Sequence, residues 1–207
     1  MRQSQDPATT DQVRESILNV AETRLMRFGF HKTTMAEIAD DAGMSAAILY
    51  RYFENKNDII EECASRIVDR RLERLRKVAH DRKTSAGEKL VKYALELVDD
   101  GHAVVSEDSM IGELVDTITK QRPALLPTKN AIHYELLADI LRSGNDRGEF
   151  NVADVEENAR HVHAAFTLFD VPIFFGVYDR AEFDRRAIGI AELIVRGLQA
   201  ESTEVTR

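Results

Sequence analysis

Between Thr34 and Lys56 the chain carries three helix starts and one stop, and this crowding leaves little freedom of fold. Thr34-Met35-Ala36-Glu37 has the form of a capping box, in which the Thr hydroxyl and the Glu carboxylate each satisfy an orphan backbone donor. It predicts a short helix from Met35 to Ala42. Gly43 stops that helix, because the left-handed backbone that closes a helix is easiest for glycine. Ser45 is placed to cap a second short helix, Ala46 to Tyr52, and Asn55 a long one running from Lys56 to about Arg82.

Two short helices joined by Ala42-Gly43-Met44-Ser45 have the spacing of a helix-turn-helix. Ile38, Ala39 and Ala42 share one face of the first, and Leu49 and Phe53 lie four apart on the second. Ala39 is small where the two helices must cross, Gly43 makes the turn and Met44 plugs it. The opposite face of the second helix then holds Ala46, Ala47, Tyr50 and Arg51. Two alanines let a helix come close to base edges, and an arginine can make two hydrogen bonds to guanine. Tyr50 and Tyr52 can donate hydroxyls to phosphates. Lys56, in the first turn of the next helix, adds an ammonium to free backbone N–H groups, a combination that suits an anion.

Helical periodicity dominates the rest of the chain, with no internal repeat and no confident strand. Residues 1–10 read as a flexible tail. A helix follows from about Asp11 to Phe28, with Ile17, Val20, Ala21, Leu25 and Phe28 on one face and Gly29 at its end. Ser85-Ala86-Gly87-Glu88 is a second capping box that opens a helix of about 20 residues. A further helix is expected over about Asp108–Lys120. Pro123 and Pro127 break or kink the next stretch, which resumes as a helix to about Ser143. Gly144 to Gly148 reads as a loop. Asp154 caps a strongly apolar helix, Val155 to about Phe174, and Asp179 precedes a last one ending near Ala200. The expectation is an all-α chain of about nine helices.

Composition narrows the function classes. The 207 residues suffice for one large domain or two small ones. Ten glycines and four prolines are few for a turn-rich β fold. One cysteine, Cys63, excludes an intrachain disulfide framework and a cysteine-rich zinc module. It can act as a small core hydrophobe or as an oxidant sensor. No apolar run approaches the ~20 residues that span a bilayer, and the N-terminus has no apolar signal region, so a cytoplasmic protein without a membrane partner is expected. The net charge is −8, yet residues 1–82 hold 14 basic and 14 acidic residues while residues 83–207 hold 14 and 22. The acidic excess lies wholly in the C-terminal part, and a balanced N-terminal part leaves local phosphate contact open. Arg70, Arg71, Arg74, Arg76 and Lys77 read as a solvated face rather than a second nucleic-acid site.

Residues 17–62 resemble the DNA-binding domain of TetR-family transcriptional regulators. The resemblance rests on Ala21, Gly29, Thr33-Thr34, Ile38-Ala39, Ala42-Gly43, Ser45, Leu49-Tyr50, Phe53 and Lys56. It implies a DNA-binding domain over 11–58 and a helical ligand-binding and dimerisation domain over 59–207. It also implies a homodimer paired through its last two helices on a palindromic operator in double-stranded DNA. Thr34, Tyr50, Tyr52 and Lys56 would touch phosphates, while Ala46, Ala47 and Arg51 would face bases, with Ser45 at the head of the recognition helix. Family members often carry Gly at the position of Ala47 and Thr or Ser at that of Ile48. Ile48 has no hydroxyl, so the sugar–phosphate edge and a thymine methyl are the two surfaces left to it.

In the C-terminal part, Val162, Ala165, Phe166, Phe169 and Ile173 make one helix apolar, as Ile188, Ala191, Ile194, Val195 and Leu198 do for the last. Such surfaces fit either a monomeric core or a four-helix dimer contact. The ligand is a small molecule of unknown identity. Its candidate contacts are the polar or aromatic residues on otherwise apolar helices: Tyr93, His102, His133, Tyr134, His161, His163 and Phe166. Each can equally be an ordinary core or surface group. His161 and His163 are two apart and share no helical face, so they make a poor metal pair. The sequence holds no HExxH, no Glu three residues before a His, no GxGxxG, no P-loop and no GxSxG. No cofactor, no metal and no enzymatic activity are expected. The reading is a ligand-responsive DNA-binding regulator, a repressor in its simplest form. The alternative is a helical-bundle ligand-binding protein or enzyme without DNA binding.

Overall fold

The computed structural model describes residues 7–29, 32–105, 125–170 and 178–199. These hold eight α-helices and an isolated bridge between Phe150 and Gln199. They are α1 (Pro7–Phe28), α2 (Met35–Asp41), α3 (Ala46–Leu49), α4 (Lys56–Ala79), α5 (Ala86–Val105), α6 (Leu125–Asp146), α7 (Val155–Asp170) and α8 (Arg180–Leu198). The helix expected over Asp108–Lys120 and the end of the one expected to reach Phe174 lie outside the described residues.

The described residues form two compact units, one through Asp69 and the other from Arg70 onward. α4 runs without a break across that boundary. The first unit closes over Ile17, Leu18, Ala21, Leu25, Met35, Ile38, Ala39, Leu49, Phe53, Ile59, Ile60, Cys63 and Ala64. Each large member contributes about 1.5–3 kcal/mol by leaving water. Because four residues of α4 belong to this core, the unit extends past residue 58, where the sequence placed its end. Cys63 is fully buried among these residues. Phe28 is not, for it is 40% exposed and lies under the guanidinium groups of Arg24 and Arg27, each 5.0 Å from the ring centre.

In the second unit α5 packs against α6, α7 and α8. Its buried apolar residues Ala86, Leu90, Tyr93, Ala94, Leu97 and Val98 follow the spacing of a helix face turned inward. Gly87 lets α8 come close, since a Cβ there would stand 3.2 Å from Val195.

Four local expectations change. α1 begins at Pro7, so residues 7–10 are helical rather than part of a tail; proline is at home in a first turn, where its missing N–H has no partner to lose. Pro127 is the third residue of α6 and breaks nothing, for the same reason. α3 ends at Leu49, after which Arg51 and Tyr52 donate to the carbonyls of Ile48 and Leu49 in a tightened turn. Gly144 is helical rather than part of a loop, and what calls for glycine is space, since a Cβ there would collide with Cδ2 of Phe150.

Candidate functional site

The turn between α2 and α3 is closed by two backbone bonds. Met44 N donates to Ala39 O and Gly43 N to Asp40 O, both at 3.0 Å. Gly43 has φ +65°, which an L side chain rarely adopts. The capping box of α2 is complete: Glu37 N donates to Thr34 Oγ1 at 3.3 Å, and Thr34 N and Oγ1 donate to Glu37 Oε2 at 2.9 and 2.7 Å. These bonds, the hydroxyl first, hold the Glu37 carboxyl below its ordinary range. At α3, Ile48 N donates to Ser45 Oγ at a long 3.4 Å. At α4, Asn55 and Asp58 cap each other, with Asp58 N donating to Asn55 Oδ1 at 3.2 Å and Asn55 N to Asp58 Oδ2 at 3.3 Å.

These caps decide which side chains face outward. Leu49 and Phe53 are buried, while Thr34, Ser45, Ala47, Ile48, Tyr50 and Arg51 are exposed. Ala46 and Tyr52 are partly buried against the core, so Ala47 is the alanine left open. Lys56 is partly buried in the first turn of α4. All eight residues expected to meet DNA thus lie on α2's cap, α3 and its turn, or the head of α4.

Arg14, absent from the sequence reading, holds this arrangement in place. Its guanidinium lies 4.2 Å from the centre of the Phe53 ring, donates to Tyr52 O at 2.6 Å and meets both carboxylate oxygens of Glu62. One side chain of α1 therefore ties the end of the α3 turn to α4. The signal was a cation in step with the buried stripe of Leu18, Ala21 and Leu25. Arg24 does similar work on the other side, pairing with Glu37 at 2.7 Å and Asp41 at 2.6 Å.

In the second unit, the candidate ligand residues divide. Tyr93, His133, Tyr134, His163 and Phe166 come together. Tyr93 Oη and His133 Nδ1 are 2.8 Å apart, the His133 and His163 rings 5.3 Å, the Tyr134 and His163 rings 5.0 Å, and Tyr93 stacks on Phe166 at 6.4 Å. His102 touches none of these five directly: it is edge-on to Phe183 at 5.8 Å, and Phe183 connects to Phe166 through the ring of Phe169, at 6.4 and 6.3 Å. His161 is outside altogether, at 68% side-chain exposure, beside Glu157. Burial raises the Tyr93 hydroxyl pKa, and Asp170 raises it further.

Asp170 belongs to a partly buried ionic group centred on Asp100. Arg71 reaches Asp100 at 2.7 Å and also Asp170, and Arg74 pairs with Asp100 and with Glu96 at 3.3 Å. Arg71 is thus no solvated cation; its side chain is 13% exposed. Burial outweighs both arginines and raises the Asp100 carboxyl. Among the described residues no three His, Cys, Asp or Glu side chains are placed to hold a metal, and no helix is long and apolar enough to cross a membrane.

Comparison with known proteins agrees with both units. Residues 17–63 match the model of bacterial regulatory proteins of the tetR family, and residues 86–191 that of the tetracycline repressor-like C-terminal domain. The transcriptional repressor KstR2 of Rhodococcus jostii is 27% identical over 141 residues, 66% of this chain and 67% of its own. A transcriptional regulator from Cytophaga hutchinsonii superposes with a TM-score of 0.74 at 23% identity, covering 90% of this chain and 98% of its own. SmeT, the repressor of the Stenotrophomonas maltophilia multidrug efflux pump SmeDEF, gives 0.61 at 16% identity over 91% of each chain. A complex of SmeT with triclosan is also known. With its two halves each matched in order, the chain belongs to the TetR family of bacterial transcriptional regulators.

Proposed function

We propose that the protein is a homodimeric repressor that holds a two-fold symmetric operator and lets it go when a small molecule binds. The observation that carries this reading is the capped turn from α2 to α3. It buries Leu49, at the end of α3, and Phe53, and leaves Tyr50 and Arg51 outward in the turn between them. In this reading Arg51 and Ala47 meet base edges, and Thr34, Tyr50, Tyr52 and Lys56 hold phosphates. Ser45 caps the recognition helix, and Ala46 seats it on the core.

The dimer forms through α7 and α8. Ala164 and Ala165 are exposed, Leu193 is 63% exposed, and Gly189 and Gly197 have open space where a Cβ would stand. Small residues with one large apolar neighbour allow a second pair of helices to approach closely. The effector is a small organic molecule received by the aromatic cluster of Tyr93, His133, Tyr134, His163 and Phe166. The protein works in the cytoplasm, on double-stranded DNA, without a membrane partner.

Release follows from a shift of population. Two recognition helices must stand about one DNA turn apart, ~34 Å, to enter successive major grooves. α4 carries Lys56 at one end and Arg71 farther along its unbroken length. An effector that binds better when the two α4 helices of the dimer are apart spoils the spacing. Fluorescence anisotropy over a salt series, with DNA from upstream of the gene and a scrambled control, tests the reading. Selective binding that a small molecule reverses is expected. Equal affinity for both DNAs under all conditions would overturn it.

A further inference from the structure

The outer face of α3 is poor in polar groups. Ser45 is exposed, but its hydroxyl oxygen accepts the Ile48 N–H. Beyond it stand Ala47 and Ile48, and only then Tyr50 and Arg51. Ile48 is 39% exposed, whereas Leu49 beside it is fully buried. Ile48 also has no place among the residues that form or flank the core of this unit. A branched apolar side chain is therefore held out toward solvent next to a bare methyl, on the surface assigned to DNA.

The two partners left to Ile48 by its chemistry differ sharply. The phosphate of the sugar–phosphate edge is charged, and stripping its water against a hydrocarbon costs free energy without return, while the deoxyribose beside it is the same at every nucleotide and can select none. The major-groove edges of the four base pairs offer one apolar group, the 5-methyl of thymine. We propose that Ile48 is a specificity-determining residue, which together with Ala47 selects thymine at one position in each half-site through that methyl group. The inference rests on α3 being the DNA-reading helix.

The test separates the two ideas. Duplexes that bind the full-length wild-type protein are selected from a random pool, and each thymine in turn is replaced by deoxyuridine, which lacks only the methyl. One position per half-site should lose affinity by about fourfold, the worth of one buried methyl group. The Ile48→Ala variant should lose most of this discrimination, keeping at most the share that the Ala47 methyl supplies. Its side chain lies outside the core, so its melting temperature should match the wild type. If duplexes are selected and no deoxyuridine substitution matters, the methyl readout is wrong while DNA reading stands. A variant that keeps the full preference for thymine would also exclude Ile48. If no duplex is selected, the DNA-reading assignment fails, and this inference falls with it.

Discussion

The guanidinium of Arg14 donates to the backbone carbonyl of Tyr52 at 2.6 Å, across 38 residues of sequence. That carbonyl lies at the end of the turn after α3, which the Leu49 carbonyl closes by accepting from Tyr52 N and Phe53 N, so a side chain of α1 anchors the segment that carries Tyr50 and Arg51. Arg14→Ala should cost about 1–3 kcal/mol, since the lost bonds are charge-assisted but partly solvated. Arg14→Lys keeps the charge and loses the fork that reaches Tyr52 and Glu62 together, so it should recover less than half. Urea unfolding of the three proteins gives the comparison.

Lys56 and Arg51 should fail in different ways. Lys56→Ala is expected to weaken all DNA sites alike and to lower the salt slope by about one unit. Arg51→Ala is expected to relax sequence preference at one position per half-site. Affinities for a panel of single-base operator variants, each taken at several salt concentrations, separate the two. An unchanged preferred sequence in Arg51→Ala would leave Arg51 with phosphate positioning only.

Gly144 and Phe150 should be coupled. The Phe150 ring occupies the space that a Cβ on residue 144 would need. Gly144→Ala is expected to destabilise by about 1–3 kcal/mol, as overpacking does. In the Phe150→Leu background the added methyl should cost measurably less. A thermal-unfolding double-mutant cycle reads this coupling, and additive losses would refute it.

His102 should make the fold sensitive to mild acid. Burial first, then Arg180, lowers its pKa from the ordinary 6.5, against the pull of Asp184 and Asp99. The unfolded chain then binds the proton more readily than the folded one. Its contribution is intact above pH 6.5 and is lost as the pH falls through the lowered folded value. Denaturation midpoints between pH 7.5 and pH 5.5, each value about half a unit apart, should decline in the wild type and flatten in His102→Asn. Glu37 and Glu88 are held below their ordinary 4.5, so their losses begin only at lower pH.

Leu193 should matter to assembly and not to the fold of the single chain, being 63% exposed. Leu193→Arg is expected to shift the protein toward monomer and to lose operator affinity with it. Sedimentation at several concentrations checks the first, and circular dichroism should show unchanged helix content.

What the sequence revealed was local. The caps at Thr34, Ser45, Asn55, Ser85 and Asp154 could be read because each is a pattern of three or four residues that satisfies its own backbone. Gly43 was legible for the same reason. Arg71 was not, because what removes it from solvent lies on α5 and α7, at Asp100 and Asp170. Gly144 was misread because glycine is a loop signal until one knows which ring fills its missing side chain. Among the candidate ligand residues, periodicity put His161 and His163 on different faces but did not say which face holds the cluster. Two positions on a helix differ by more than half a turn, and that angle separates the aromatic cluster from open water.

The bridge between Phe150 and Gln199 has a consequence for how the second unit opens. Asn151 N donates to Leu198 O at 2.9 Å, so backbone from the connection after α6 stitches the last turn of α8. Helix ends ordinarily fray. Here a backbone bond to a distant part of the chain closes that end. The amide protons of the last turn should therefore exchange with deuterium together with those of the Phe150 connection, as one unit with a common opening rate.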